Sequence, residues 1–196
     1  MKKLLRLSVF ALAAMFVFSS CNKDDDDNGN GNGNGNGGNN NSSGELNYDG
    51  KTYSLKSGLI EDYGFDGTHI NWDFSMVNTE YKQITDSFDT YYEPDTIGLN
   101  VFVYFELFSS DTNSFQPGTF NYAMGSNNDY FEYAEFYLDV NSDGMIDYWG
   151  SEVFEVTGGS VTVTRNSATN YKVDFDVDFS NGKSATGSYS GSFFMD

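Results

Sequence analysis

From Tyr171 to Phe179 the chain alternates without a fault. Tyr171, Val173, Phe175, Val177 and Phe179 fall on one side, and Lys172, Asp174, Asp176 and Asp178 on the other. Side chains of a strand point alternately to opposite faces, so this period of two predicts a β-strand with one face in a core and one in water. Its neighbours read the same way. Gly159 to Arg165 is a strand with Val161 and Val163 inward, and Asn166 to Asn170 turns. Asn181-Gly182 is a type I′ hairpin signal, and Ser184 to Phe194 returns with Tyr189 and Phe193 inward. The last third is therefore a three-stranded antiparallel meander.

The same pattern extends upstream. Leu46 to Leu55 reads as a hairpin around Asp49-Gly50. His69 to Val77 puts Ile70, Trp72, Phe74 and Met76 on one face, which makes Trp72 a core residue. Leu99 to Phe108 is apolar on both faces, as a strand covered twice would be. Gly118 to Met124, Tyr130 to Leu138 and Glu152 to Thr157 complete about nine or ten strands, and no segment carries a helical apolar stripe. Aromatics are 17% of residues, dominated by 18 Phe and 14 Tyr, which suits strands. The expectation is an all-β domain over 45–196, either an antiparallel β-sandwich or an up-and-down β-barrel resembling the lipocalin architecture.

Before that domain the chain changes character. Met1 to Arg6 is basic, Leu7 to Phe18 is apolar but too short to span a bilayer, and Ser19 and Ser20 are small. Residues 1–20 read as a signal peptide. Phe18-Ser19-Ser20-Cys21 resembles the lipobox of bacterial lipoproteins, which implies that Cys21, the sole cysteine, becomes a lipidated N-terminus. The following Asn22-Lys23-Asp24-Asp25-Asp26-Asp27 resembles the export signal of Bacteroidota surface lipoproteins. That resemblance implies display on the outer face of the outer membrane, with Lys23, Asp24 and Asp25 carrying the signal. Residues 21–44 then form an acidic, Asn-Gly-rich tether with no apolar surface to bury. Tyr48-Asp49-Gly50-Lys51-Thr52-Tyr53 and Gly159-Ser160-Val161-Thr162-Val163 are similar to stretches in small β domains of Bacteroidota lipoproteins, a resemblance that implies no activity.

Charge and composition exclude several functions. The formal charge is −19, and loss of Lys2, Lys3 and Arg6 with the leader takes it to about −22. Such a surface repels nucleic acid and anionic headgroups, so contact with the membrane is expected through the lipid anchor alone. Any Ser-His-Asp or zinc site would have to use His69, the single histidine, which has no nucleophile motif nearby and reads as an exposed or hydrogen-bonded side chain. No phosphate loop or dinucleotide fingerprint is present.

Three features are candidates for a site. Asp139 to Asp147 matches the first nine positions of an EF-hand-like loop: Asp139, Asn141 and Asp143 offer oxygens at positions 1, 3 and 5, Gly144 permits the sharp turn, and Ile146 plugs into the core. Position 12 is Gly150, so Asp147 or Glu152 would have to complete the shell. The cofactor this loop would take is Ca²⁺; read simply as an Asx-rich turn it takes none. Asn78 to Gly98 is a long polar connection in which Tyr81, Phe88, Tyr91 and Tyr92 lie among Glu80, Asp86, Asp89, Glu93 and Asp95. Aromatic rings beside carboxylates can stack on and hydrogen-bond a sugar, and Tyr91, Tyr92 and Trp149 are the candidate platform. These features support a non-catalytic surface module binding an extracellular glycan, protein or peptide. The alternatives are a structural or accessory subunit of an outer-membrane surface complex and, less favoured, a carboxylate-based hydrolase.

Overall fold

A computed structural model describes residues 42–87, 90–144, 146 and 152–196. The leader, Cys21, Lys23, Asp24, Asp25 and the tether up to residue 41 lie outside the described residues. Every regular element within them is a strand: β1 (Ser43–Tyr48), β2 (Lys51–Leu55), β3 (Ser57–Phe65), β4 (Ile70–Val77), β5 (Tyr81–Thr85), β6 (Thr90–Pro94), β7 (Val101–Ser109), β8 (Thr119–Tyr122), β9 (Tyr130–Leu138), β10 (Val153–Arg165), β11 (Asn170–Phe179) and β12 (Ser184–Met195).

Hydrogen bonding closes the large sheet on itself. Antiparallel ladders run β3–β4–β7–β9–β10–β11–β12, and β12 then pairs in parallel with β3 through Phe193, Phe194 and Met195. An odd number of alternating strands can close only with one parallel pair. The fold is thus an up-and-down barrel, which decides between the two architectures left open by the sequence. The β1–β2 hairpin extends the free edge of β12 at one end. β8 fills the wedge where β9 and β10 diverge.

The local chemistry of the turns fixes the register. Asp49 and Gly50 both have positive φ (50° and 77°), the type I′ geometry expected for Asp-Gly. At Asn181-Gly182 the expectation fails in detail. Only Gly182 takes positive φ (78°), and its N–H bonds to Phe179 O while Phe179 N–H bonds to Lys183 O. That is a three-residue loop with glycine in the left-handed position, and the Asn181 side chain accepts the Lys183 N–H. Glu152 to Arg165 was read as two segments. It is one strand with a bulge between Val156 and Gly158.

Three further strands were not expected. Ser57 to Phe65 pairs with β4 along its whole length, and Asn78 to Gly98 is not an open polar loop but the β5–β6 hairpin. That hairpin accounts for the burial of the outer side of β4. Tyr81 reaches the Ser75 hydroxyl at 2.7 Å, and Leu59, Val77, Tyr81, Leu99 and Ile146 form a second apolar cluster with Tyr92, Phe102 and Tyr137 against it. Leu99 to Phe108 is therefore covered on both sides, as expected, but on the outside only toward one end.

The barrel interior is filled by rings from opposite walls. Phe105 on β7 meets Phe175 on β11 at 5.5 Å, and Phe74 on β4 meets Tyr171 on β11 at 6.0 Å. Both pairs lie three strands apart around a seven-membered ring, which is a diameter. In small barrels side chains occupy the bore, and this one follows that rule. One end is stopped by the β7–β8 connection, whose Phe115 stacks between Trp72 (4.6 Å, 3°) and Phe120 (5.3 Å, 6°). Trp72 is a core residue, as its position in the alternation predicts.

Candidate functional site on the outer barrel surface

The acidic loop after β9 brings together the predicted ligands Asp139, Asn141 and Asp143, but it is held by its own hydrogen bonds. Asp139 is buried. Its two carboxylate oxygens accept the N–H groups of Asp143 (3.1 Å) and Gly144 (2.9 Å), and Asn141 Oδ1 accepts Asp143 N–H as well (2.9 Å). Buried Glu152 accepts Asn141 N–H at 3.3 Å. Lys51, arriving from β2, donates to Val140 O and to Ser142 Oγ (2.8 Å), so an ammonium already sits at the rim of the loop. Tyr53 donates to Asp139 O at 3.1 Å. Burial, then the negative charges of Asp139 and Glu152, push its hydroxyl pKa up to about 12.

These groups line a cleft of about 450 Å³ that includes Asn100, whose side-chain oxygen is buried without a hydrogen-bond partner among the described residues. Ile146 is buried in the second cluster, as expected for a plug residue. Asp147, Trp149 and Gly150 lie outside the described residues. Among the described residues no three His, Cys, Asp or Glu side chains group to hold a metal ion.

Tyr91 and Tyr92 do not form one platform. They are consecutive on β6, and consecutive strand residues point to opposite faces. Tyr92 packs on Phe194 with ring centroids 5.1 Å apart. Tyr91 lies on the other side, where partial burial, Glu93 and Asp86 raise its pKa. Phe88 and Asp89 lie outside the described residues. The hairpin is pinned by Lys82–Asp95 (2.6 Å) and by Lys56–Glu80 (3.0 Å), and the Lys82 contact draws the Asp95 pKa down.

Of the two readings left open for His69, the structure has the hydrogen-bonded one, with the ring buried. Its ring stands edge-on to Tyr130 at 5.1 Å, with Nδ1 3.0 Å from Thr68 Oγ1.

The feature that residue-by-residue reading missed is the outer wall of β3, β4, β7, β9 and β10. Pairing aligns Glu61, Asp73, Glu106 and Tyr133 in one cross-strand row. The next row is Leu59, Ser75, Tyr104, Glu135 and Glu155. Tyrosine hydroxyls are tied to these carboxylates. Tyr104 donates to buried Asp73, Tyr137 to Glu135 at 2.6 Å, and Tyr133 also bonds Glu135. Burial, then the adjacent carboxylates, raise the Tyr104 and Tyr133 pKa values well above the usual phenol range. Glu61 is raised by burial and by the Asp196 charge, partly offset by a bond from Tyr63. Tyr63, 46% exposed, stands at the rim, while Phe65, 52% exposed, pairs with the bore residue Ile70 and so lies on the other face of β3. A signal was present in the sequence: Tyr133, Glu135 and Tyr137 alternate with Ala134, Phe136 and Leu138. What it lacked was the register that puts other acids beside them.

No family model, curated protein or solved structure matches this chain.

Proposed function

We propose that the chain is a surface-displayed lipoprotein, anchored to the outer membrane through Cys21, whose barrel is a non-catalytic binding module for an extracellular glycan or protein. The observation that carries this reading is the contrast between bore and wall. Rings from opposite walls touch across the bore, which leaves ligand capture to the outside. The outside carries a Tyr–carboxylate lattice with the exposed Tyr63 at its rim. Aromatic anchors with directional polar groups are the chemistry of recognition surfaces. Charged outward positions such as Lys172, Asp174, Asp176 and Asp178 on β11 support a domain bathed in water rather than a lipid-facing barrel.

The test is retention. The purified protein is immobilised and challenged with a polysaccharide panel and with solubilised outer-membrane proteins, alongside a Tyr63→Ala variant. The expected result is a retained partner that the variant loses while its melting temperature stays within a few degrees. Retention that is indifferent to the variant, or no retention at all, refutes the reading.

A further inference from the structure

We infer that the slot between β2 and the start of β7 binds an extended polypeptide segment of a partner protein, which adds to β2 as a further strand. This site is separate from the outer wall and follows from the free edge of β2.

The register of the β1–β2 hairpin sets that edge. Asp49 and Gly50 form a two-residue loop, so Tyr48–Lys51, Leu46–Tyr53 and Gly44–Leu55 are the hydrogen-bonded pairs. Thr52, Ser54 and Lys56 therefore turn their backbone groups away from β1. Lys56 N–H finds Val77 O at 2.7 Å, at the end of β4. Thr52 and Ser54 are exposed, and among the described residues nothing bonds their backbone N–H or C=O groups. After Val77 the chain leaves for the β5–β6 hairpin, so no strand continues the path of β4. Asn78 Oδ1 accepts the N–H groups of Asn100 (2.9 Å) and Val101 (3.3 Å), as a backbone carbonyl of the missing strand would. What remains is a slot with Lys51 to Ser54 on one side and Asn100 and Asp139 on the other, part of the cleft of about 450 Å³. Tyr53 crosses it, its hydroxyl bonding Asp139 O at 3.1 Å. The slot is as wide as a tyrosine side chain plus one hydrogen bond, whereas adjacent strands stand only about 5 Å apart, so one more strand fits between its walls.

The geometry favours a polypeptide over a sugar. An edge of alternating unpaired N–H and C=O groups is a template for another backbone, and a saccharide has no matching repeat. Lysine side chains often guard such edges, but Lys51 is turned to Val140 O and Ser142 Oγ. Asn100 Oδ1, buried in the cleft without a partner, adds an acceptor for an incoming N–H. The strand pairings also fix the direction. β2 and β7 both run antiparallel to β4, so a segment continuing the path of β4 is antiparallel to both its neighbours. Its side chains alternate between the two faces. Those toward the bore meet the Tyr53 ring and must be small, and those toward water lie beside Thr52 and Ser54 and are free to be polar. The ligand is therefore a short extended stretch alternating small and polar residues.

The probe is a capped, uncharged octapeptide alternating Ala and Thr, and its control is the same peptide with every amide N-methylated. Each is titrated into the purified protein while amide exchange at Thr52 and Ser54 is followed by NMR. Without peptide both amides should exchange fast. At a peptide concentration about ten times its Kd they should slow about tenfold, and the N-methylated peptide should leave them unchanged. Ser54→Pro removes an outward N–H without touching a β1–β2 bond, as proline on an edge strand does. It should weaken binding about fivefold or more, with Ser54→Ala within about twofold of the unaltered chain. The N-methylated control decides the same question without any substitution. Binding that tolerates N-methylation overturns strand addition, and so does binding that a folded Ser54→Pro variant retains. Amides already slow in the peptide-free protein show that the chain fills its own slot, and slowing that grows with protein concentration shows a second copy there; either overturns the assignment to a partner. If millimolar peptide leaves both amides fast, the inference falls while the reading of the outer wall stands, since that reading is tested through Tyr63.

Discussion

Phe175 is the residue on which the sealed bore depends. It is 4% exposed, contacts Phe105 and Phe136 at 5.5 Å each, and reaches from β11 across to β7. Cutting it to alanine removes a buried ring whose neighbours belong to a closed barrel and so cannot move inward far. The loss should sit in the range of about 3–5 kcal/mol for such truncations. At about 2–4 °C per kcal/mol for a domain of this size, the melting temperature should fall by roughly 6–20 °C. The second arm is Gly187 on β12. A Cβ there would lie 2.2 Å from Phe175 Cζ and 2.7 Å from Glu45 O, so the ring occupies the space the glycine leaves. Gly187→Ala alone should cost about 1–3 kcal/mol through overpacking. In the double variant the ring clash vanishes and the Glu45 contact remains, so the two effects should fall short of additivity by about 0.5–3 kcal/mol. Urea denaturation of the four proteins measures the cycle. A Phe175→Ala cost below about 1 kcal/mol, or strict additivity, would refute the claim that the bore is filled by interlocking rings. The reason for placing ligand capture outside would go with it.

Further outcomes follow from the site. Glu106→Gln removes one member of the Glu61–Asp73–Glu106 row and should raise stability by about 0.2–1 kcal/mol, read by urea midpoint; a loss would show that the row is compensated within the fold. Glu61 has a raised carboxyl pKa in the folded state, so the native protein holds the extra proton. Its contribution is therefore full below the ordinary glutamate value and is lost as pH rises through the raised one, and Glu61→Gln should flatten stability against pH in that window. At the Asp139 loop, Lys51→Met should cost about 1–2 kcal/mol through the lost bonds to Val140 O and Ser142 Oγ. EDTA should leave the wild-type melting temperature within about 1 °C, because backbone N–H groups already satisfy the Asp139 oxygens; a fall of several degrees would mean that a cation holds the loop. In an ultraviolet titration, Tyr53 and Tyr130 should ionise near pH 12, while Tyr104 and Tyr133 should ionise only as the barrel opens. Phenols raised in the folded state withdraw stability as pH climbs above the ordinary tyrosine value, so the alkaline limb should be steep, and a shallow one would contradict the burial of these hydroxyls.

What was legible in the chain was whatever one strand decides for itself. Tyr171 to Phe179 needs no partner to declare its two faces, and Asp49-Gly50 needs none to declare a turn. Ser57 to Phe65 was illegible because Leu59 and Ile60 serve different cores: Ile60 faces the bore and Leu59 the outer cluster, so the two apolar residues sit side by side and the period of two disappears. The β5–β6 hairpin was hidden for a related reason. Tyr81 is buried and Tyr92 half-buried while Lys82, Gln83 and Glu93 are exposed, and the tyrosines read as loop aromatics. The parallel closure of β12 on β3 joins segments far apart along the chain, and no local pattern records it. The same holds for the wall. Glu61, Asp73 and Glu106 lie far apart along the chain, and only the register of three strands places them side by side.

That register is also the reason to look for function there. Along β11 and at Asp49-Gly50 local preference and the fold agree: alternation matches burial, turn residues match turn geometry, and the exposed Lys172 and Lys183 meet carboxylates. The wall departs from this agreement by stacking acids across strands. A fold whose stability is a small difference between large opposing quantities bears such an arrangement only against a surplus, and the ring-packed bore supplies one. Places where a sequence breaks a rule it otherwise obeys are where binding and chemistry concentrate. The Glu106→Gln variant therefore carries the decisive pair of readings. If the row exists for a partner, stability must rise as partner affinity falls. A variant that gained stability and kept its partner, or lost both together, would break that link.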